Sequence, residues 1–386
     1  MTRIAFERAD DDDLINFAVG QPDRTLIAVD KIQASLSTLK ADLTPQSLNY
    51  GLPRGEDSFL APLARFLTHE TGVDTQPDHL MLTAGSSQAL DMICLAFTEP
   101  GDTVLIEDAS YFLAFQIFKD RGLRLVSVPR DADGIDLVAL ESLIETHRPK
   151  LFYTIPFFSN PRGDSLPVEN LVDVVTLCEK TSTLVVSDEA YQCLNFDGRA
   201  CASIANRTSS DWVLSLGTFS KILAPGLRVG WLEGPPERLN ELANLGWVNS
   251  GGAVNQWGSL LVARMLEDQA VSPILSQIRQ TLTTRASLMH EGLSASLGEL
   301  AHWHKPTGGY FFWIELKADI DTQQALPAIR SKGVGYQPGV TFSAGGHFRS
   351  SFRLSYAAYP ESKITEGLSI LGQSLKDAVS ADKPQR

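Results

Sequence analysis

From His79 to Glu233 the sequence alternates short β-branched runs with longer amphipathic stretches, and this alternation constrains the fold more than any other feature. Seven runs read as strands: His79–Thr83, Thr103–Glu107, Leu123–Val128, Leu151–Ile155, Thr183–Ser187, Trp212–Leu216 and Val229–Glu233. Helical patterns lie between several of them, at Ser87–Phe97, Tyr111–Arg121, Leu137–Thr146 and Val168–Lys180. Strand–helix alternation predicts an α/β fold, a mostly parallel sheet covered by helices on both faces. Ligands on such sheets bind in the loops after the carboxyl ends of the strands. The residues just past each strand are therefore where chemistry is expected.

The pattern changes from about Val271. A long helix over Pro273–Leu297 precedes an aromatic strand at Gly308–Leu316, a helix near Gln323–Lys332, a strand at Ser351–Ser355 and a helix around Glu361–Ala378. This reads as a smaller α+β domain made of residues 1–45 and 276–386, beside a large domain of residues 46–275; residues 380–386 are expected to fray.

Charge and cysteine usage narrow the partners. A net charge of -13 repels nucleic acid and anionic membranes, and no Lys/Arg cluster offsets it. No apolar run is long enough for a membrane span and no signal-peptide core follows Met1, so a cytoplasmic protein is expected. Cys94, Cys178, Cys193 and Cys201 are far apart and read as buried free thiols. His302 and His304 flank Trp303 without a completing ligand, so no metal site is expected.

Three loops carry candidate chemistry, and a fourth stretch joins them. Thr83-Ala84-Gly85-Ser86-Ser87 ends a strand, turns on glycine and starts a helix, where free N–H groups suit a phosphate; taken alone, an ordinary serine cap is the better reading. Ser187-Asp188-Glu189-Ala190-Tyr191 and Ser159-Asn160-Pro161-Arg162-Gly163 follow other strands, and either could be a plain solvated turn. In Thr218-Phe219-Ser220-Lys221-Ile222-Leu223 the apolar neighbours are poor company for a solvated ammonium. Desolvation would depress the lysine pKa and make it a usable nucleophile.

In order and spacing these loops resemble the class I/II aminotransferases of the pyridoxal-phosphate (PLP) fold type I, nearest the aromatic and 2-aminoadipate branch. The resemblance runs from about Ile15 to Leu375, and its most specific stretch is Gly217–Gly230. It implies a mostly parallel seven-stranded sheet and PLP as cofactor. It implies that Lys221 holds PLP as a Schiff base and shuttles the substrate proton, that Asp188 faces the pyridine nitrogen, and that Tyr111 stacks on the ring. Asn160 and Tyr191 resemble the pair that hydrogen-bonds the phenolate oxygen. Ser86, Ser87, Thr218, Ser220 and Arg228 would share the phosphate, with Tyr50 reaching the phosphate of a neighbouring subunit, so a homodimer with shared active sites is implied. Arg353 resembles the arginine that grips the substrate carboxylate, and Gly20 the glycine that closes over the substrate.

Two departures from the family pattern bear on substrate. Arg162 stands where a small or hydroxyl residue is usual, and Asp23-Arg24-Thr25-Leu26-Ile27 replaces the usual Phe-Pro after Gly20-Gln21-Pro22. Arg24 and Arg162 could bind an acidic side chain or face solvent. Phe17, Asn249–Val254 and Thr341-Phe342 are candidate pocket residues, and Gly251-Gly252 a candidate lid. The expected reaction is transamination of an amino acid with a 2-oxo acid. The same binding residues would serve elimination, replacement or capreomycidine-synthase-like cyclisation. A PLP-sensing regulator is the non-enzyme alternative, and it would carry a basic helix-turn-helix ahead of the fold.

Overall fold

The computed structural model describes residues 14–131, 133–252 and 254–381. The aspartates at 10–13, Ala253 and the last five residues of the expected fraying tail lie outside the described residues. All seven expected strands form and join one sheet. In chain order they are β1 (Leu80–Thr83), β2 (Thr103–Glu107), β3 (Arg124–Val128), β4 (Leu151–Thr154), β5 (Leu184–Asp188), β6 (Val213–Thr218) and β7 (Gly230–Glu233). Their spatial order is β1-β7-β6-β5-β4-β2-β3. Only β7 runs against its neighbours β1 and β6; the other pairs are parallel.

The strands read as continuous apolar runs because both faces of the sheet are covered. Phe152 and Val185 point into one core, whereas Leu151, Tyr153, Leu184 and Val186 point into the other. The helices Ser86–Phe97, Phe112–Asp120, Leu137–His147 and Val168–Lys180 fall within a residue or so of expectation. His79 is a correction: it closes the turn Pro77–His79, and β1 starts at Leu80.

A second sheet follows the long helix Val271–Leu297. Its strands are β8 (Ala301–His302), β9 (Phe311–Leu316), β10 (Gln337–Pro338) and β11 (Ser351–Ser355), in the spatial order β8-β9-β11-β10. Gly308 and Gly309 precede β9 instead of starting it; Gly309 has φ +71°, which breaks the extended run. The final helix runs to Ala381, so Ser380 is helical and not frayed.

The N-terminal segment bridges both parts. Ile15–Asn16 pairs in parallel with Val334–Gly335, whereas the helix Val29–Asp42 packs on the helix Gln256–Glu267, with Ser35 Oγ donating to Asp268 at 3.1 Å. Between them, buried Asp23 accepts from Arg285 Nη2 at 2.7 Å, and the same guanidinium donates to the Ala357 carbonyl. Asp23→Ala would leave the Arg285 charge buried beside only its half-exposed partner Glu361. The expected cost is about 3 kcal/mol, read as a lower urea midpoint; a change below about 0.5 kcal/mol would show that Asp23 does not anchor this segment. Among the described residues no helix is long and apolar enough to cross a membrane. Cys94, Cys178 and Cys193 are buried, Cys201 is partly so, and all four are free thiols.

Candidate active site

Lys221 lies three residues beyond β6, and Asp188 at the carboxyl end of β5, Arg353 and Arg228 are close enough to act on its charge. Phe219, Ile222 and Leu223 are buried, as their apolar character implies. The amine donates to the Gly20 carbonyl at 2.9 Å and stands 5.5 Å from the ring centre of Tyr310 and 5.8 Å from that of Tyr191. Tyr310 in turn donates its hydroxyl proton to the Lys221 carbonyl at 3.0 Å. Burial, then the positive charge of Arg353, pulls the Lys221 pKa down to about 8, with Asp188 partly opposing the shift.

A depressed lysine pKa has a signed effect on stability. Between about 8 and the unfolded value of 10.5 the unfolded chain binds more protons at Lys221 than the folded one, so stability rises with pH across that window. Below it the charged amine penalises the fold in full. Lys221→Met is therefore expected to stabilise cofactor-free protein at pH 7, by no more than about 3 kcal/mol given the partial exposure of the side chain. The advantage should fade by about pH 10.5 in denaturant titrations; one that grows with pH would contradict the burial argument.

Asp188 is the last residue of β5 and is buried. Its Oδ2 accepts from the Tyr153 hydroxyl at 2.8 Å, and Oδ1 accepts from the Ala190 N–H at 3.3 Å. Burial pushes its pKa up, while Tyr153, Ala190 and Lys221 pull the other way. Tyr111, at the N-terminal edge of the helix Phe112–Asp120, feels both Asp188 and Arg353; burial first, then Asp188, pushes its hydroxyl to about 12.

Arg353 sits mid-strand in β11 and reaches across from the second sheet. Its Nη1 donates to Asn160 Oδ1 at 2.6 Å and its Nη2 to the Ala18 carbonyl at 2.5 Å. The guanidinium lies 4.1 Å from the ring centre of Phe311 and 5.0 Å from that of Phe342, and burial pulls its pKa down to about 10. It therefore stays charged at neutral pH. Its Nε is buried with no hydrogen-bond acceptor, an orphan donor of the kind an anionic ligand relieves. A side chain at Gly20 would press on Phe311, 3.1 Å from a built Cβ, so glycine keeps this rim open.

The five residues expected at a phosphate gather at one helix start. Gly85, at φ +92°, caps the helix Ser86–Phe97, whose first N–H groups have no intrahelical acceptor. Arg228 clamps this turn to the loop after β6: Nη2 donates to the Ala84 carbonyl at 3.0 Å and Nη1 to Ser220 Oγ at 3.2 Å. Thr218 Oγ1 donates to Ser220 Oγ at 3.0 Å. A Cβ at Gly85 would lie 2.5 Å from the Arg228 guanidinium, which explains the glycine. Dipole, N–H groups, hydroxyls and guanidinium suit a phosphate, and a half-buried amine with a depressed pKa suits an aldehyde.

Tyr50 is not brought to this cluster; it is 80% exposed in a loop whose Leu48 and Leu52 are exposed as well. Arg162 Nε pairs with Asp164 at 3.4 Å, and Asp164 also takes Arg130 Nη2 at 2.9 Å, so Arg162 is tied back into its own loop. Arg24 is exposed in a short turn over buried Leu26. Gly252 has φ +72° and packs so closely on the Gly51 carbonyl that a Cβ would fall 2.2 Å away. Phe17 is fully buried and edge-on to Tyr359, a core position. Tyr153 has no signal in the sequence because it lies inside a strand, and Tyr310 falls in the stretch Pro306–Trp313, a family hallmark that reads from the sequence as structural.

The sequence matches the family Aminotransferase class I and II over residues 12–371, and the chain belongs to that family. It is 30% identical over 370 residues to the aromatic-amino-acid aminotransferase 1 of Thermococcus litoralis, covering 95% of this chain and 88% of that one. It is 31% identical over 368 residues to the 2-aminoadipate transaminase of Thermus thermophilus, covering 94% and 90%. The structure of the α-aminoadipate aminotransferase LysN from Thermus thermophilus, complexed with N-(5'-phosphopyridoxyl)-L-leucine, superposes with TM-score 0.85 at 29% identity, covering 96% of this chain and 94% of that one.

Proposed function

We propose that this chain is a PLP-dependent aminotransferase that moves the amino group of an L-amino acid to a 2-oxo acid, with Lys221 as its catalytic amine. The observation that carries the proposal is the setting of Lys221: its amine is bound to the Gly20 carbonyl and caged by Tyr191 and Tyr310, with Asp188 and Arg353 near enough to act on its charge. Family membership supports the reaction class, and the phosphopyridoxyl ligand of the Thermus relative supports the cofactor.

When bound, the cofactor supplies an aldehyde for the amino group and a ring that accepts the electron pair left by the α-proton. The protein's share is binding, orientation and proton movement. Ser86, Ser87, Thr218, Ser220 and Arg228 would hold the phosphate, with Asn160 and Tyr191 at the phenolate oxygen and Tyr111 on the ring face. Arg353 would take the substrate carboxylate, its Nε providing a donor in addition to the bond to Asn160. Gly20 would close over the substrate. Lys221 Nζ, once free, would move the proton at the α-carbon.

A homodimer is part of the proposal. Exposed Leu48, Tyr50 and Leu52 lie on the segment that packs, through Gly51, on Gly252, which is five residues along the chain from each of exposed Trp247 and Trp257. An apolar surface of this kind suits a second copy, and would bring Tyr50 to the partner's phosphate.

The test is borohydride reduction of purified holoprotein followed by peptide mapping, which should find the coenzyme on Lys221. A tag on another lysine, or none, would refute the proposal. Aromatic amino acids and 2-aminoadipate are the first donors to try. Keto acid formation that depends on an added 2-oxo acid distinguishes transamination from cyclisation, which would release water without an acceptor.

A further inference from the structure

Tyr153 has no part in the reaction as assigned above, yet it makes the shorter of the two hydrogen bonds to Asp188. It stands on β4 opposite Val186 of β5, two residues before Asp188, so both side chains leave the sheet on the same face. A strand side chain that leans along its strand reaches this far, and the Tyr153 hydroxyl donates to Asp188 Oδ2 at 2.8 Å. The phenol ring is fully buried, with Phe118 edge-on at 5.5 Å, and packs in the core with Ile106 and Val186. It has no room to swing away. Asp188 Oδ1, by contrast, holds only the Ala190 N–H at 3.3 Å, which leaves it capacity for a second donor.

We infer that Tyr153 is a positioning residue: it locks the Asp188 carboxylate in one orientation and in its charged form, with Oδ1 turned to the ring nitrogen of the cofactor. The inference rests on the reading of the Lys221–Asp188 site proposed above. A carboxylate buried among Tyr111, Tyr191 and Lys221 needs donors to remain ionised, since desolvation favours the neutral acid. Tyr153 is a dependable donor, because burial first and then Asp188 hold its proton firmly on the phenol. Glu107, which also acts on Tyr153, is itself neutralised by Arg130 at 2.7 Å and accepts from Thr154 Oγ1 at 2.8 Å, so it does not compete for the phenol.

The test is Tyr153→Phe, which removes one oxygen and keeps the ring, compared with wild type and with Asp188→Ala and the double variant, all loaded with PLP. Three readouts are taken: PLP dissociation, the pH-dependence of the bound cofactor's visible absorption, and kcat against KM. Tyr153→Phe is expected to weaken PLP binding about tenfold, to shift the pH profile, and to lower kcat more than KM. Added to Asp188→Ala it should do nothing further. Equal losses with and without Asp188, or an unshifted pH profile, would overturn the inference and reduce Tyr153 to a packing residue. Wild-type protein that takes up no coenzyme at Lys221 would overturn the site reading as well. Coenzyme uptake at Lys221 with a silent Tyr153→Phe overturns this inference alone.

Discussion

Lys221→Ala is expected to lower turnover by about 10⁴-fold or more, because one amine is proposed to serve as both covalent anchor and general base. The position allows no substitute. The lysine cage is made of Tyr191 and Tyr310, and burial pushes both hydroxyls well away from titrating near neutral pH. The nearby cations are guanidiniums: Arg353, at about 10, keeps its proton at neutral pH and cannot act as a base. Lys221→Arg is therefore expected to be as inactive as Lys221→Ala although it keeps the charge, which separates a nucleophile from a mere counter-ion. The alanine variant should still bind PLP through the phosphate residues, measured by equilibrium dialysis, but borohydride should fix none of it. More than about a hundredth of wild-type turnover in either variant would remove Lys221 from the chemistry.

The central sheet was legible because β-branched runs separated by amphipathic helices leave few alternative architectures, and all seven strands were placed. The errors fell where glycine or a turn truncates an extended run, at His79 and at Gly308–Gly309, since strand propensity says nothing about φ. The order of the loops was legible too, and the structure brings Lys221, Asp188, Asn160, Tyr191, Arg353 and Arg228 near one another. What composition could not show was lateral proximity. Tyr153 meets Asp188 only through the register of adjacent parallel strands, and Asp23 meets Arg285 across 262 residues of chain. In the sequence Asp23 is only an irregularity after Gly20-Gln21-Pro22; in the structure it ties the segment that carries Gly20 to Arg285 through a buried ion pair.

Asp188→Asn is the second large effect, an expected fall of about 10²–10³-fold in kcat, the range seen when one preorganised electrostatic group is removed. The substitution keeps the size of the side chain and an oxygen able to accept from Tyr153, so the geometry built on that bond survives while the charge is lost. Charge is what the proposed role demands, because a carboxylate keeps the cofactor's ring nitrogen protonated and an amide does not. In the proposed reading the substrate carboxylate is taken by Arg353, which reaches from the second sheet to Asn160 and the Ala18 carbonyl, so KM should change far less than kcat. Rapid mixing of holoenzyme with donor should place the loss in the proton-transfer half-reaction. A variant with kcat within about threefold of wild type would mean that the Asp188 charge is dispensable, and that the buried carboxylate has some other partner.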